Sequence, residues 1–385
     1  MKVINGFINQ IIIFLLLTCL AACVDEPAPE PVICPGEVGR TVLVYMVASN
    51  NLGTGKFDQA DIDEMQKAAD AGGVAGGRLL VYHVPASGDP VLKEVRRGGI
   101  DTLAVYDSSE SSVSSGRMRR VFADVKTLAP ARDYGLVLWS HASGWLQDGM
   151  DDEIEAAPQP KAFGYDRGQK MNLTALARTL EGEDFSFVYF DCCYMGAVEV
   201  AYELRDATEM IVASPSELPS AGMPYDLNVP CFFAAEPDLV QAARNTFDCY
   251  DAMGGSSRTC TMSVVRTEGM SRLAAAVCDV YLHAEESWPE GYEPQRYMTE
   301  TRCYHFDLRH YIEALCDDSG MLEEFRSALS AAVLYEDATD YLWSRLPIES
   351  HCGLSTFIFT GESQTAMKNY DTTSWYRDVA SALNK

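Results

Sequence analysis

Unbroken apolar runs of strand length alternate with amphipathic stretches along the first half of the chain. Thr41-Val-Leu-Val-Tyr-Met-Val-Ala48, Arg78-Leu-Leu-Val-Tyr-His-Val84, Tyr134–Ser140, Phe185–Asp191 and Met210–Ser214 are rich in β-branched and aromatic residues. They are apolar at consecutive rather than alternate positions, the pattern of strands covered on both faces. Between them, Asp58–Ala71 puts Ile62, Met65 and Ala68 or Ala69 on one helical face. Ser114–Leu128, Leu173–Leu180 and Ala197–Arg205 also read as helices, and Val91–Arg97 with Asp101–Tyr106 as a shorter strand pair at an edge. Alternating strands and helices predict an α/β fold: a mostly parallel sheet flanked by helices, with right-handed crossovers.

From about Asp226 the rhythm changes. Helical segments at Pro237–Tyr250, Gly269–Ala284, Leu308–Cys316 and Met321–Val333 alternate with isolated strand candidates at Thr261–Val265 and Leu354–Thr360. This predicts a first domain over 39–228 and an α/β C-terminal subdomain over 229–385, with no polar linker marking the join and no internal repeat.

The N-terminus reads as a targeting segment over 1–22. Lys2 precedes the apolar Ile11-Ile-Ile-Phe-Leu-Leu-Leu17, and Leu20-Ala-Ala-Cys23 resembles a bacterial lipobox, in which Cys23 is lipidated and becomes the first mature residue. An ordinary cleaved signal peptide is the other reading. The acidic, Pro-rich stretch that follows, within residues 23–38, favours the lipobox, because it suits an extended tether holding a domain off a membrane. The expected location is therefore the bacterial cell envelope, at the outer membrane or cell surface.

Charge narrows the partners further. The 385 residues hold 56 Asp and Glu against 30 Lys and Arg, a net charge of -26. That field repels polyanions, and no basic stripe interrupts it, so nucleic acid is excluded as a partner. The 12 cysteines include no C-x-x-C pair, which leaves a zinc site without support. Cys249 and Cys260 flank the loop at 254–257 and could be bridged, connectivity being open.

Two of the buried-strand candidates end abruptly in reactive chemistry. Leu136-Val-Leu-Trp-Ser-His-Ala-Ser-Gly-Trp145 delivers His141, and Phe187-Val-Tyr-Phe-Asp-Cys-Cys-Tyr-Met-Gly196 delivers Cys192 and Cys193. Carboxyl ends of neighbouring parallel strands open into one crevice, where ligands bind. A thiol and an imidazole brought there suit a cysteine nucleophile served by a histidine base. Strand alternation turns Asp191 and Cys193 one way and Cys192 the other. The helix predicted just beyond is expected to lower the Cys193 thiol pKa through its dipole. Taken singly, a buried cysteine and a polar strand-end histidine are ordinary; the two together favour catalysis.

These motifs resemble the clostripain-type cysteine peptidases of the caspase-like group. The resemblance rests on Trp139-Ser-His-Ala-Ser-Gly-Trp145, Phe163-Gly-Tyr-Asp166 and Asp191-Cys-Cys-Tyr-Met-Gly-Ala-Val-Glu-Val-Ala-Tyr-Glu-Leu204. It extends to Val212-Ala-Ser214, Ala221-Gly-Met-Pro-Tyr225, Thr41–Leu52, Asp63-Glu-Met65, Gly353-Leu-Ser355 and Tyr370 with Trp375. It implies a caspase-like sheet, peptide or protein substrates, Cys193 as nucleophile, His141 as catalytic histidine, and an oxyanion site at the backbone N–H groups of Ala142 and Cys193. Ala142 stands where the family usually has glycine. Asp191 falls on an acid of the pocket for a basic P1 side chain, and Ser214, Ser216 and Glu217 are placed to line it. Strict Arg/Lys cutters add a second acid where this chain has Ala221. No cofactor or metal is assigned; calcium stimulation is the one metal effect that the resemblance implies, and the acidic run Asp148–Glu155 lacks regular ligand spacing. A surface-binding lipoprotein that keeps the fold without turnover is the alternative. An esterase using Ser140 or Ser143 is disfavoured by the absence of a Gly-x-Ser-x-Gly elbow.

Overall fold

The computed structural model of the protein describes residues 38–146, 163–284, 292–300, 303–359 and 364–384. The apolar runs become strands of one nine-stranded sheet. In chain order these are β1 (Val38–Val47), β2 (Gly77–Val84), β3 (Val91–Arg96), β4 (Gly99–Val105), β5 (Ala131–Trp139), β6 (Phe185–Asp191), β7 (Thr208–Ala213), β8 (Thr261–Arg266) and β9 (Val333–Ala338). Across the sheet the order is β9-β8-β7-β6-β5-β1-β2-β3-β4. The five central strands, β7-β6-β5-β1-β2, are mutually parallel. An antiparallel pair extends each edge, β3-β4 on one side and β8-β9 on the other. This is the mostly parallel, helix-flanked caspase-like sheet expected.

Consecutive residues of each central strand feed opposite faces. On β1, Leu43, Tyr45 and Val47 join one buried cluster while Val42, Val44 and Met46 join the other. The first face is covered by helices α2 (Ser115–Leu128), α3 (Leu173–Leu180), α4 (Val198–Glu203), α7 (Met270–His283), α8 (Leu308–Leu315) and α9 (Ser319–Ala332). The second is covered by α1 (Phe57–Asp70), α5 (Tyr225–Phe232) and α6 (Leu239–Asp251). Burial on both sides is why these strands read as continuous apolar runs.

Several details differ from the sequence reading. Both β8 and β9, which lie beyond residue 228, join the same sheet as the strands before it. The segment Val333–Ala338 is a strand that starts where α9 stops; its exposed outer-edge positions dilute the apolar signal. The strand expected over Leu354–Thr360 shrinks to Ser355–Thr356, paired with Phe306–Asp307 outside the main sheet. Helix α5 was masked in the sequence by Pro230, which normally breaks a helix; here the helix ends two residues beyond it. Cys249 and Cys260 are both free thiols, as are the other described cysteines. No helix among the described residues is long and apolar enough to cross a membrane. Cys23 and the run Asp148–Glu155 lie outside the described residues.

Candidate active site

The register of the parallel strands sets the site. Met46 of β1 aligns with Trp139 of β5, and Trp139 aligns with Asp191 of β6. His141 follows Trp139 by two residues and Cys193 follows Asp191 by two, so neighbouring strands, spaced about 4.8 Å apart, release both at the same level. Both line one cleft of about 210 Å³ at the carboxyl ends of the strands. The cleft also takes Asn51 from beyond the end of β1, Asp191, Glu217 and Trp343.

Cys193 is half-buried, and its thiol donates to the Leu218 carbonyl at 3.7 Å. The chain turns sharply after it: Tyr194 has a left-handed backbone (φ 62°), which is strained for a bulky residue. The turn is clamped by Tyr194 N–H to Ser216 O (3.0 Å) and Gly196 N–H to Ser214 O (2.8 Å). The Tyr194 ring stacks on His305 with centroids 4.7 Å apart. Gly144, two residues past Ala142, has φ 69°, and a Cβ there would stand 2.6 Å from Tyr194 O and 2.8 Å from His305 Cε1. Glycine is required at that contact.

The expected lowering of the thiol pKa does not occur. Burial pushes the Cys193 thiol up to about 12, and the Glu217 carboxylate adds to the rise. Helix α4 begins only at Val198, beyond the single turn over which a helix terminus acts on a neighbouring charge. Cys192 is buried in the core, where it packs as a small hydrophobe.

Burial lowers the His141 pKa, as does the nearby Lys170 charge. Its Nε2 lies 2.6 Å from Asn51 Oδ1. Because that oxygen can only accept, the contact fixes the tautomer with the proton on Nε2 and leaves Nδ1 as the basic nitrogen. The sequence carried Asn51 only within the Thr41–Leu52 stretch of the resemblance, with no role of its own. No local signal marks it: only the pairing of β1 with β5 brings the end of one strand beside His141. Ala142 lines the cleft wall, and its backbone bridges to Phe163.

Asp191 lies at the cleft floor, only 5% exposed. Its carboxylate accepts from Met223 N–H (3.1 Å) and the Tyr225 hydroxyl (3.0 Å). Burial raises its pKa, and those two bonds pull it back. Gly222 (φ 64°) allows this approach, since a Cβ would fall 2.7 Å from Asp191 Oδ2. Beneath, Asp61 accepts from Trp139 Nε1 at 2.6 Å, and burial, reinforced by Asp191, drives its pKa far upward, so it holds its proton. Glu217 lines the cleft, whereas Ser214 does not. Ser214 is fully buried, in a hydroxyl cluster with Ser216 and Thr261 (2.8 Å to Thr261 Oγ1), where it supports the loop behind the cleft. Ser216 is buried with it and is likewise removed from the wall. Among the described residues, no group of three or more His, Cys, Asp or Glu side chains could hold a metal ion.

Comparison with known proteins identifies the family and the fold. A family model described as the clostripain family matches residues 44–369. A solved inactive zymogen of a C11 protease from Parabacteroides distasonis is 27% identical with a TM-score of 0.77, covering 91% of this chain and 99% of its own. A secreted C11 cysteine protease from Bacteroides thetaiotaomicron, solved with an irreversible peptide inhibitor, is 29% identical with a TM-score of 0.76, covering 90% and 99%. Another secreted C11 cysteine protease of that organism, "iotapain", shares the fold at 21% identity and a TM-score of 0.78, covering 89% and 99%. None of the curated proteins matches the chain. The chain belongs to the clostripain family and is a C11 cysteine protease, a hydrolase.

Proposed function

We propose that the protein is a lipid-anchored endopeptidase of the cell envelope that cleaves peptide bonds through a Cys193–His141 dyad. The observation that supports the dyad is the register of β5 and β6, beyond whose ends His141 and Cys193 both line one cleft. Both shifts favour the uncharged forms, thiol and neutral imidazole, over a preformed ion pair. His141 therefore acts as general base when substrate arrives. It accepts the thiol proton as sulfur attacks the scissile carbonyl, then gives that proton to the leaving amine. Water then attacks the acyl-enzyme while His141 takes its proton; the C–S bond breaks, the acid product leaves, and His141 returns the proton to the Cys193 sulfur. Backbone N–H groups of Ala142 and Cys193 meet the oxyanion. Asp191 faces the P1 side chain, which supports cleavage after Arg or Lys.

A peptidyl acyloxymethyl ketone with P1 lysine tests the dyad. It should label Cys193 alone, and Cys193→Ala should reduce peptide hydrolysis by about 10³-fold or more. Labelling elsewhere, or cleavage that survives in Cys193→Ala, overturns the dyad. The anchor rests on Leu20-Ala-Ala-Cys23 and the tether after it. Metabolic labelling with an alkyne fatty acid should mark the wild type and not Cys23→Ser, which should leave the membrane fraction.

A further inference from the structure

Two loops carry the dyad, and a third segment lies against both. His141 opens the loop after β5, which runs on through Ser143 and Gly144; Cys193 opens the loop after β6, which turns at Tyr194. His305, far along the chain from either, is fully buried between them. Its ring lies flat on that of Tyr194, with centroids 4.7 Å apart and planes 15° from parallel. Its Cε1 edge faces the backbone of Gly144, where an added Cβ would stand 2.8 Å away. The imidazole thus fills the slot between the residue after the nucleophile and the third residue after the base.

The ring is itself anchored. Its Nδ1 lies 3.2 Å from Ser355 Oγ, and Ser355 N–H donates to Gly196 O at 2.9 Å, which ties that serine to the far side of the Cys193 turn. The His305 carbonyl accepts from Tyr297 N–H at 2.9 Å, and the next two residues, Phe306 and Asp307, pair with Thr356 and Ser355. Left-handed backbone at Tyr194 is costly for a bulky residue and persists only where its surroundings over-determine it. The stack on His305 is part of that constraint. Burial drives the His305 pKa down to about 3, against a smaller rise from the Ser143 backbone, so the ring is uncharged at neutral pH. It does not line the cleft. A neutral ring outside the cleft acts on the chemistry by fixing distances rather than by charge or by contact with substrate.

We propose that His305 is a positioning residue: a buried neutral wedge that sets the spacing between the His141 loop and the Cys193 turn. With that spacing it sets the aim of the Ala142 and Cys193 N–H groups at the oxyanion. The assignment rests on the dyad reading above and acts through Gly144 and Tyr194. It makes the part of the chain beyond residue 228 a component of the active site.

The test uses the full chain, with sites counted by complete titration with the peptidyl acyloxymethyl ketone, so that kcat is expressed per reactive thiol. His305→Ala should lower kcat about 30- to 100-fold with KM changed less than about twofold, since an error of about 1 Å in aim costs a factor of that size. His305→Asn, whose amide can still meet Ser355, should recover part of the loss. Ser355→Ala keeps the ring in its slot but removes its anchor, and should cost about threefold to tenfold in kcat. A peptide aldehyde, whose hemithioacetal oxygen occupies the oxyanion position, should lose affinity in step with kcat/KM. The pH profile of kcat/KM should keep its shape from about pH 5 to about pH 9, because no group titrating there is removed. If His305→Ala does not fold, His305→Asn and Ser355→Ala carry the same comparison. A loss confined to the fraction of titratable sites, an unchanged kcat per site, or a shifted limb of the pH profile overturns this inference alone. Absence of Cys193-dependent cleavage in the wild type overturns the dyad reading and this inference with it.

Discussion

Cys193 and His141 each lose stabilisation of their charged form to burial, in opposite senses of pKa but with one consequence. The resting pair is neutral. In the absence of substrate, iodoacetamide should therefore alkylate Cys193 slowly at pH 7. The rate should climb without an inflection below the ordinary thiol value near 8.5. A plateau at pH 5–7 would mean a preformed thiolate and would contradict the general-base scheme. Asn51 is the second determinant at this scale, through its 2.6 Å contact with His141 Nε2. Asn51→Ala should cost roughly 10- to 100-fold in kcat, with KM little changed, because the ring loses its orientation. Asn51→Asp places a negative charge against the imidazole, which raises its pKa. The acid limb of kcat/KM should then move to higher pH, an effect that a packing role would not produce.

Among the elements, α4 and the C-terminal segment are joined by one fully buried carboxylate. Glu199 Oε1 accepts from Thr356 Oγ1 (3.0 Å), Phe357 N–H (2.9 Å) and the Tyr370 hydroxyl (3.2 Å). Burial nevertheless lifts its pKa to about 7. A carboxyl whose pKa is raised on folding binds its proton more tightly in the folded state. Its contribution to stability is therefore complete below the unfolded value near 4.5 and is lost as pH rises through about 7. Across that window the loss is of the order of a few kcal/mol. Glu199→Gln removes the titration. Thermal unfolding from pH 5 to pH 8 should show wild type losing Tm relative to the variant; parallel curves would refute the assignment. Because α4 follows the Cys193 turn directly, the same lock holds that turn against residues 355–357.

At the scale of the whole molecule, the net charge of -26 makes the surface a field that draws cations inward. Between about 0.01 M and about 0.1 M ionic strength the Debye length falls from about 30 Å to about 10 Å. Over that range, kcat/KM for a lysine-containing peptide should fall several-fold, while that of its norleucine counterpart should stay nearly flat. Equal salt dependence for both would show that the field does not steer substrate.

Much of this architecture was legible in one dimension because burial on both faces of a sheet leaves an unmistakable apolar run. Thr41–Ala48, Tyr134–Ser140 and Phe185–Asp191 announced themselves in this way, as did the abrupt arrival of His141 and Cys193 at two strand ends. Glu217 was also within reach, because it follows its strand closely. Other features left no local trace. Asn51 gains meaning only when β1 lies beside β5. Ser214 proved to be buried scaffold because Thr261, on a strand placed next to its own by the sheet order, takes its hydroxyl. Trp343 enters the cleft from a hairpin distant in sequence. Residue types and their periodicity thus determined which segments are strands and which side chains carry chemistry, since propensity and burial pattern act over a few neighbouring residues. Strand order, register and the loops that reach over the strand ends decided which of those side chains meet, since these are long-range contacts whose energies no single segment contains.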